Sequence, residues 1–186
     1  MNILLRYFPL LIYDKKHVFL KEIVNKVAQS KLVTIDLEDY YPQGKRIVID
    51  IKYWLYEEII LKEKDFRASV KEHDWSQYQD SYIALTCSTE AIIPSWAYML
   101  VTTELVPFSK KIIIGTVKEL ETSLFQDIIT QLPIDSYQGK PVIIKGCSEK
   151  PIPETAYTQL ITKLIPVAKS IMYGEACSTV PLFKNK

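Results

Sequence analysis

Residues 93–115 read IPSWAYMLVTTELVPFSKKIIIG, and residues 152–174 read IPETAYTQLITKLIPVAKSIMYG. The second stretch repeats the first at an offset of 59 residues, with ten of 23 positions identical. In a chain without low complexity, agreement at that level marks an internal duplication, and every neighbouring segment is read against it. The same offset aligns Tyr78-Gln79 with Tyr137-Gln138 and Phe66 with Phe125. Cys87-Ser88 and Cys147-Ser148 align after a shift of one residue. The copies therefore run from about residue 63 to 115 and from about 118 to 174.

Each copy reads as helix, strand, helix, strand. SYIALT (81–86) and PVIIKG (141–146) are short apolar runs after polar turns, as buried strands are. Pro94 and Pro153 suit the start of a helix, and Pro107 and Pro166 stop it. KKIIIG (110–115) is strand-like; KSIMYG (169–174) looks helical on its own, but the repeat assigns it to a strand. Thr116 and Glu119 form a capping box, followed by one apolar helical face at Val117, Leu120, Leu124, Ile128 and Leu132. The matching helix of the first copy runs from about Asp65 to His73. Alternation of this kind predicts an α/β fold: a mainly parallel sheet with helices on both faces, containing the duplicated half.

Ahead of the copies, Lys21–Gln29 reads as a helix, VTIDL (33–37) and RIVIDI (46–51) read as strands, and 52–62 is ambiguous. Ile3–Tyr13 is apolar but broken by Arg6 and Pro9, too short to span a bilayer, and no small-residue cleavage site follows it. Residues 1–19 are read as an N-terminal extension, with docking as an extra helix the alternative, and 20–186 as one α/β domain.

Composition narrows the function classes. A net charge of +1 gives no electrostatic signal for nucleic acid or an acidic membrane. Three cysteines without a secretory signal point to a reducing, cytoplasmic setting rather than a disulfide framework. With five glycines, no GxGxxG or Walker phosphate loop can be placed.

Chemistry is expected at the carboxyl ends of the strands, where open parallel sheets bind ligands. Cys87 and Cys147 follow the first strand of each copy and Cys177 follows the last, each succeeded by serine. On a single sheet the three thiols share one rim. They form a candidate ligand set for zinc or an iron–sulfur cluster, with Glu90, Glu149 or Glu175 as a fourth ligand. No CxxC spacing supports this, and free cysteines also serve as small buried hydrophobes. A reactive thiol is a further reading. Its histidine partner would be His17, in the extension, or His73, at the opposite edge of the sheet and read as a helix C-terminal cation or surface residue. Asp36, Glu38 and Asp39, before Tyr40-Tyr41-Pro42, could bind a hard cation but read better as a solvated loop. Tyr98 and Tyr157 occupy the same helical position in both copies and read as core contacts within reach of the cysteine rim.

The stretches EIVNKVAQSKLVTIDLEDYYPQGKRIVIDIK, VKEHDWSQYQ, KGCSEKPIPETAY and VAKSIMYGEACSTVPLFK resemble the bacterial proteins grouped as domain of unknown function 2480. The resemblance runs from about residue 21 to the C-terminus and carries no established activity. It implies that residues 1–19 are an extension. Through the family's association with Suf-type iron–sulfur assembly genes, it also implies an accessory role beside iron–sulfur assembly proteins. Three functions are thus expected: an accessory protein of iron–sulfur or metal handling, a non-catalytic interaction module with structural cysteines, and a thiol-dependent enzyme on a small molecule.

Overall fold

The computed structural model describes residues 32–146, 149–175 and 178–185. The extension with His17, the helix expected over Lys21–Gln29, Cys147-Ser148 and Cys177 lie outside the described residues. Strands β1 (Val33–Ile35) and β2 (Arg46–Asp50) come first, followed by α1 (Glu63–Glu72), β3 (Tyr82–Thr86), α2 (Ser95–Leu105) and β4 (Lys111–Ile114). Then come α3 (Val117–Gln131), β5 (Pro141–Ile144), α4 (Glu154–Leu164), β6 (Ser170–Glu175) and β7 (Ser178–Lys184). KSIMYG is a strand, as the repeat requires. No helix among the described residues is long and apolar enough to cross a membrane.

The single sheet is corrected to two. One has the order β2-β3-β4, all parallel; the other has the order β1-β5-β6-β7, parallel except for β7. The strand count could not reveal this, because it does not say where β1 and β2 pair. β2 joins β3, and β1 crosses to β5. The expected strands also end early: VTIDL stops at Ile35 and RIVIDI at Asp50, where an aspartate caps a 3-10 turn in each case. The antiparallel β7 was not expected.

Local contacts recur at the 59-residue offset. Tyr82 pairs with Lys111, and Pro141 with Ser170. The Asp80 amide donates to Phe108 O, and the Gly139 amide to Val167 O, both at 2.8 Å. Asp80 and Gly139 share a positive φ, of 57° and 66°. Phe66 and Phe125 are both fully buried, one in each major core.

Helix α3 is the shared layer. Its capping box forms as read, with the Thr116 and Glu119 side chains each accepting from the other's backbone amide. Its single apolar face is corrected to two. Leu120 and Leu124 pack on Ala84 of the three-stranded sheet, while Phe125, Ile129 and Leu132 enter the core of the four-stranded sheet. Val117 is exposed. A helix between two sheets must bury two stripes, so a one-sided pattern understates it.

An ion pair spans these layers. Arg46 Nε, on β2, donates to Glu121 Oε1 of α3 at 2.6 Å, and Arg46 Nη1 donates to Pro42 O and Gly44 O at 2.7 Å. The Tyr41 hydroxyl donates to the same carboxylate at 3.1 Å, and its ring lies 4.5 Å from the guanidinium. Glu121 is only 5% exposed, so its charge is tolerable because every contact is charge-assisted.

Candidate functional site

Two carboxyl edges replace the expected single rim. At the edge of the three-stranded sheet, Asp50 ends β2 and Cys87-Ser88 follow β3, in register with it. Asp50 Oδ1 accepts from the Lys52 amide and from the Ser88 amide, both at 3.1 Å. Burial raises the Asp50 pKa, but the hydrogen bonds from Ser88 and Lys52 and the Lys52 charge outweigh it, holding the carboxyl below its ordinary range. Cys87 is a half-buried free thiol, 3.4 Å from Thr89 Oγ1. Tyr98 packs into the same core, and its hydroxyl is pushed up by burial and then by Cys87 and Asp50. Tyr98 is thus both the core contact and the neighbour of the thiol that the repeat suggested.

The edge of the four-stranded sheet is more heavily charged. Asp36 Oδ1 accepts from the Glu38 amide at 2.9 Å, and Lys145 Nζ donates to Asp36 Oδ2 at 2.6 Å. Burial works against ionising Asp36, yet the Lys145 hydrogen bond, the Glu38 amide and the charges of Lys145 and Lys150 bring its pKa down. Glu38 Oε1 accepts from the amides of Glu149 and Lys150. Asp36 and Glu38 are therefore corrected from a solvated loop to a latch holding Glu149 and Lys150 against the end of β1, while Asp39 is exposed, as read. The Tyr173 hydroxyl donates to Gly146 O at 3.1 Å, and its ring meets Tyr157 edge-on at 5.9 Å. Gly146 permits this approach: a Cβ there would come within 2.8 Å of Cζ of Tyr173.

The expected fourth ligands separate. Glu149 and Glu175 are exposed at this edge, with Glu175 close enough to act on Lys145, whereas Glu90 is exposed beside Ile59, Ile60 and Ile92 on the other half. Of the three cysteines, only Cys87 is among the described residues, and it follows a strand of the other sheet. Among the described residues, no group of three or more His, Cys, Asp or Glu is placed to hold a metal ion. His73 is corrected from a helix-end cation: it is half-buried, its Nε2 lies 2.7 Å from the Tyr78 hydroxyl, and its ring packs against Trp54 and Trp75. Burial depresses its pKa, partly offset by Asp74.

Asp50, and the strand-end role it shares with Asp36, are what the sequence reading missed. A signal existed: residues 33–37 read VTIDL and residues 47–51 read IVIDI, the same pattern of apolar strand, aspartate and apolar cap. Chemically, both edges offer carboxylates held ionised by fixed donors, and the four-stranded edge adds cationic Lys145.

Fold and site define an α/β protein of two largely parallel sheets sharing a helix, with a capped aspartate at the strand ends of each. The chain belongs to the family described as protein of unknown function DUF2480, whose model matches residues 21–185. No curated protein and no solved structure matches it.

Proposed function

We propose that this chain is a non-catalytic accessory protein of metal or iron–sulfur handling, and that its ligand-bearing site is the carboxyl edge of the four-stranded sheet. The observation that carries the reading is the pairing of β5 with β6. These strands are parallel neighbours with Ile144 opposite Tyr173. Opposed residues of neighbouring strands stand about 4.8 Å apart, and in sequence Cys147 follows Ile144 by three residues and Cys177 follows Tyr173 by four. Thiolates sharing one zinc ion lie about 4 Å apart. Exposed Glu149 and Glu175 supply oxygen donors beside them. Cys87 belongs to the other sheet and contacts Thr89, so it takes a structural role in this reading. A bound zinc ion or cluster would be held here for transfer to assembly partners, in the reducing cytoplasm where thiolate ligands persist.

Protein purified without oxygen tests this by metal and sulfide analysis. Cys147→Ser and Cys177→Ser should lose bound metal, and Cys87→Ser should keep it. No metal, together with no optical change on anaerobic reconstitution with iron and sulfide, sinks the proposal.

A second reading, an interaction module with structural cysteines, is favoured by one observation. Ile59, Ile60 and Ile92 line an open groove, and Ile92 is 92% exposed.

We also infer that the two halves descend from one duplicated unit. Support comes from the shared register and the paired hydrogen bonds at the 59-residue offset. Each copy then includes one of the aspartate-ended strands, β2 for the first and β1 for the second.

A further inference from the structure

We propose that the outer edge of β4, with the groove between it and α2, seats a second copy of this chain, the two β4 strands pairing antiparallel across a twofold axis. β4 is the last strand of its sheet, and no strand among the described residues pairs with its outer side. Beside it, Ile114 is 61% and Met99 65% exposed. With Tyr98, Thr102 and Thr103 they line a largely apolar groove of about 500 Å³.

The other sheet shows what this place in the fold accepts. β6 stands 59 residues after β4, pairs with its neighbour in the same register, and is covered on its outer side by antiparallel β7. Tyr173, the counterpart of Ile114, lies opposite Val180 of β7 and against the Tyr157 ring. Among the described residues, Ile114 has no cross-strand neighbour on its outer side.

The two terminal strands also differ in how their edges are blocked. β7 carries Pro181, and its pairing slips between Ile171 and Met172; both features discourage a further strand. β4 reads KIII, with neither proline nor irregularity. That run suits itself. A twofold axis through Ile113 sets Ile112 opposite the partner's Ile114 on the groove face and Lys111 opposite the partner's Gly115, so the two ammonium groups do not face each other. Lys111 is moreover held aside by Asp127 at 2.5 Å. The product is a continuous six-stranded sheet, with Met99 and Ile114 of both copies covered.

Sedimentation equilibrium of the full chain, from about 1 to about 200 µM, tests the proposal. A dimer is expected. Ile114→Lys and, independently, Met99→Lys should weaken it by about tenfold or more while leaving the circular dichroism spectrum unchanged. Met99 sits on the helix surface, so its variant carries the test if Ile114→Lys fails to fold. Val48→Lys, on the opposite edge strand, and Ile92→Lys should leave the dimer intact. A chain that stays monomeric throughout overturns the proposal. So does a dimer that survives Met99→Lys or dissociates in Val48→Lys or Ile92→Lys.

Discussion

Asp36 and Asp50 hold the same post in different sheets. Each carboxylate stands at the end of an apolar strand and caps a 3-10 turn, through the Glu38 amide at 2.9 Å and the Lys52 amide at 3.1 Å. Each also reaches across to the segment after the neighbouring strand, Asp50 to the Ser88 amide and Asp36 to the Lys145 ammonium. The strand ends are thus tied together before any ligand binds.

Removing a cap acceptor costs about 1 kcal/mol, and an added lost partner raises that toward about 2. Asp50→Ala should therefore lower stability in urea by about 1–2 kcal/mol, and it should speed hydrogen exchange at the Ser88 and Lys52 amides. Unchanged exchange at Ser88 would show that the carboxylate does not hold the cysteine segment. Both aspartates have depressed pKa values, so their stabilisation is full above the ordinary aspartate range and is lost as pH falls through the folded values. Asp36→Asn and Asp50→Asn should each flatten the acid limb of the stability profile.

The Arg46–Glu121 pair should punish one-sided change. Glu121→Ala leaves a guanidinium with little water and no carboxylate, a loss of about 3 kcal/mol or more. Replacing both, as Arg46→Met with Glu121→Leu, should recover most of it, because neither buried charge remains. Arg46→Lys alone should also lose stability, since one ammonium cannot serve the carboxylate, Pro42 O and Gly44 O together. Denaturant midpoints of the wild type, Arg46→Met, Glu121→Leu and the double variant decide this, and additive single-variant losses would contradict it.

His73 makes a separable contribution to pH dependence. Its folded pKa is depressed by burial among Trp54, Trp75 and Tyr78, so the unfolded chain takes up the proton first. The stability it contributes is present above the ordinary histidine range and declines as pH falls through that range toward the folded value. Between pH of about 7.5 and about 5.5, unfolding free energy should drop, and His73→Gln should reduce the drop. The aspartates titrate well below this window.

Gly174 carries a φ of +123°, and a Cβ there would lie 2.5 Å from Ser178 O. Gly174→Ala should destabilise by more than about 1 kcal/mol, with increased hydrogen exchange concentrated on β6 and β7. If exchange rises equally across both sheets, β7 is not held by this turn.

Periodicity made the individual elements legible. Pro94 and Pro153 do start their helices, and their carbonyls accept from Ala97 and Ala156 at matching 2.9 Å. The repeat placed β6 correctly where local pattern pointed to a helix. The strand-end aspartates were legible in principle, as VTIDL against IVIDI. Asp36 was noticed only as part of an acidic cluster and Asp50 not at all, because that repeat lies at a different spacing from the 59-residue one and pairs strands adjacent in the chain. The unexpected β7 contains Pro181 and is largely exposed, so it lacks the apolar alternation that marks a half-buried strand.

By itself, the sequence determined the strands and helices of the two halves, the capping of α3 and the aromatic positions at 66 and 125. These depend on neighbours within a few residues, whose spacing and chemistry are written along the chain. Only the tertiary structure decided that β1 leaves β2 for β5, that α3 buries two faces, and that Cys87 stands on a different sheet from the strands preceding Cys147 and Cys177. Strand partnership is a competition among apolar edges distant in sequence, settled by the packing of the whole core, and no local pattern records which edge prevails.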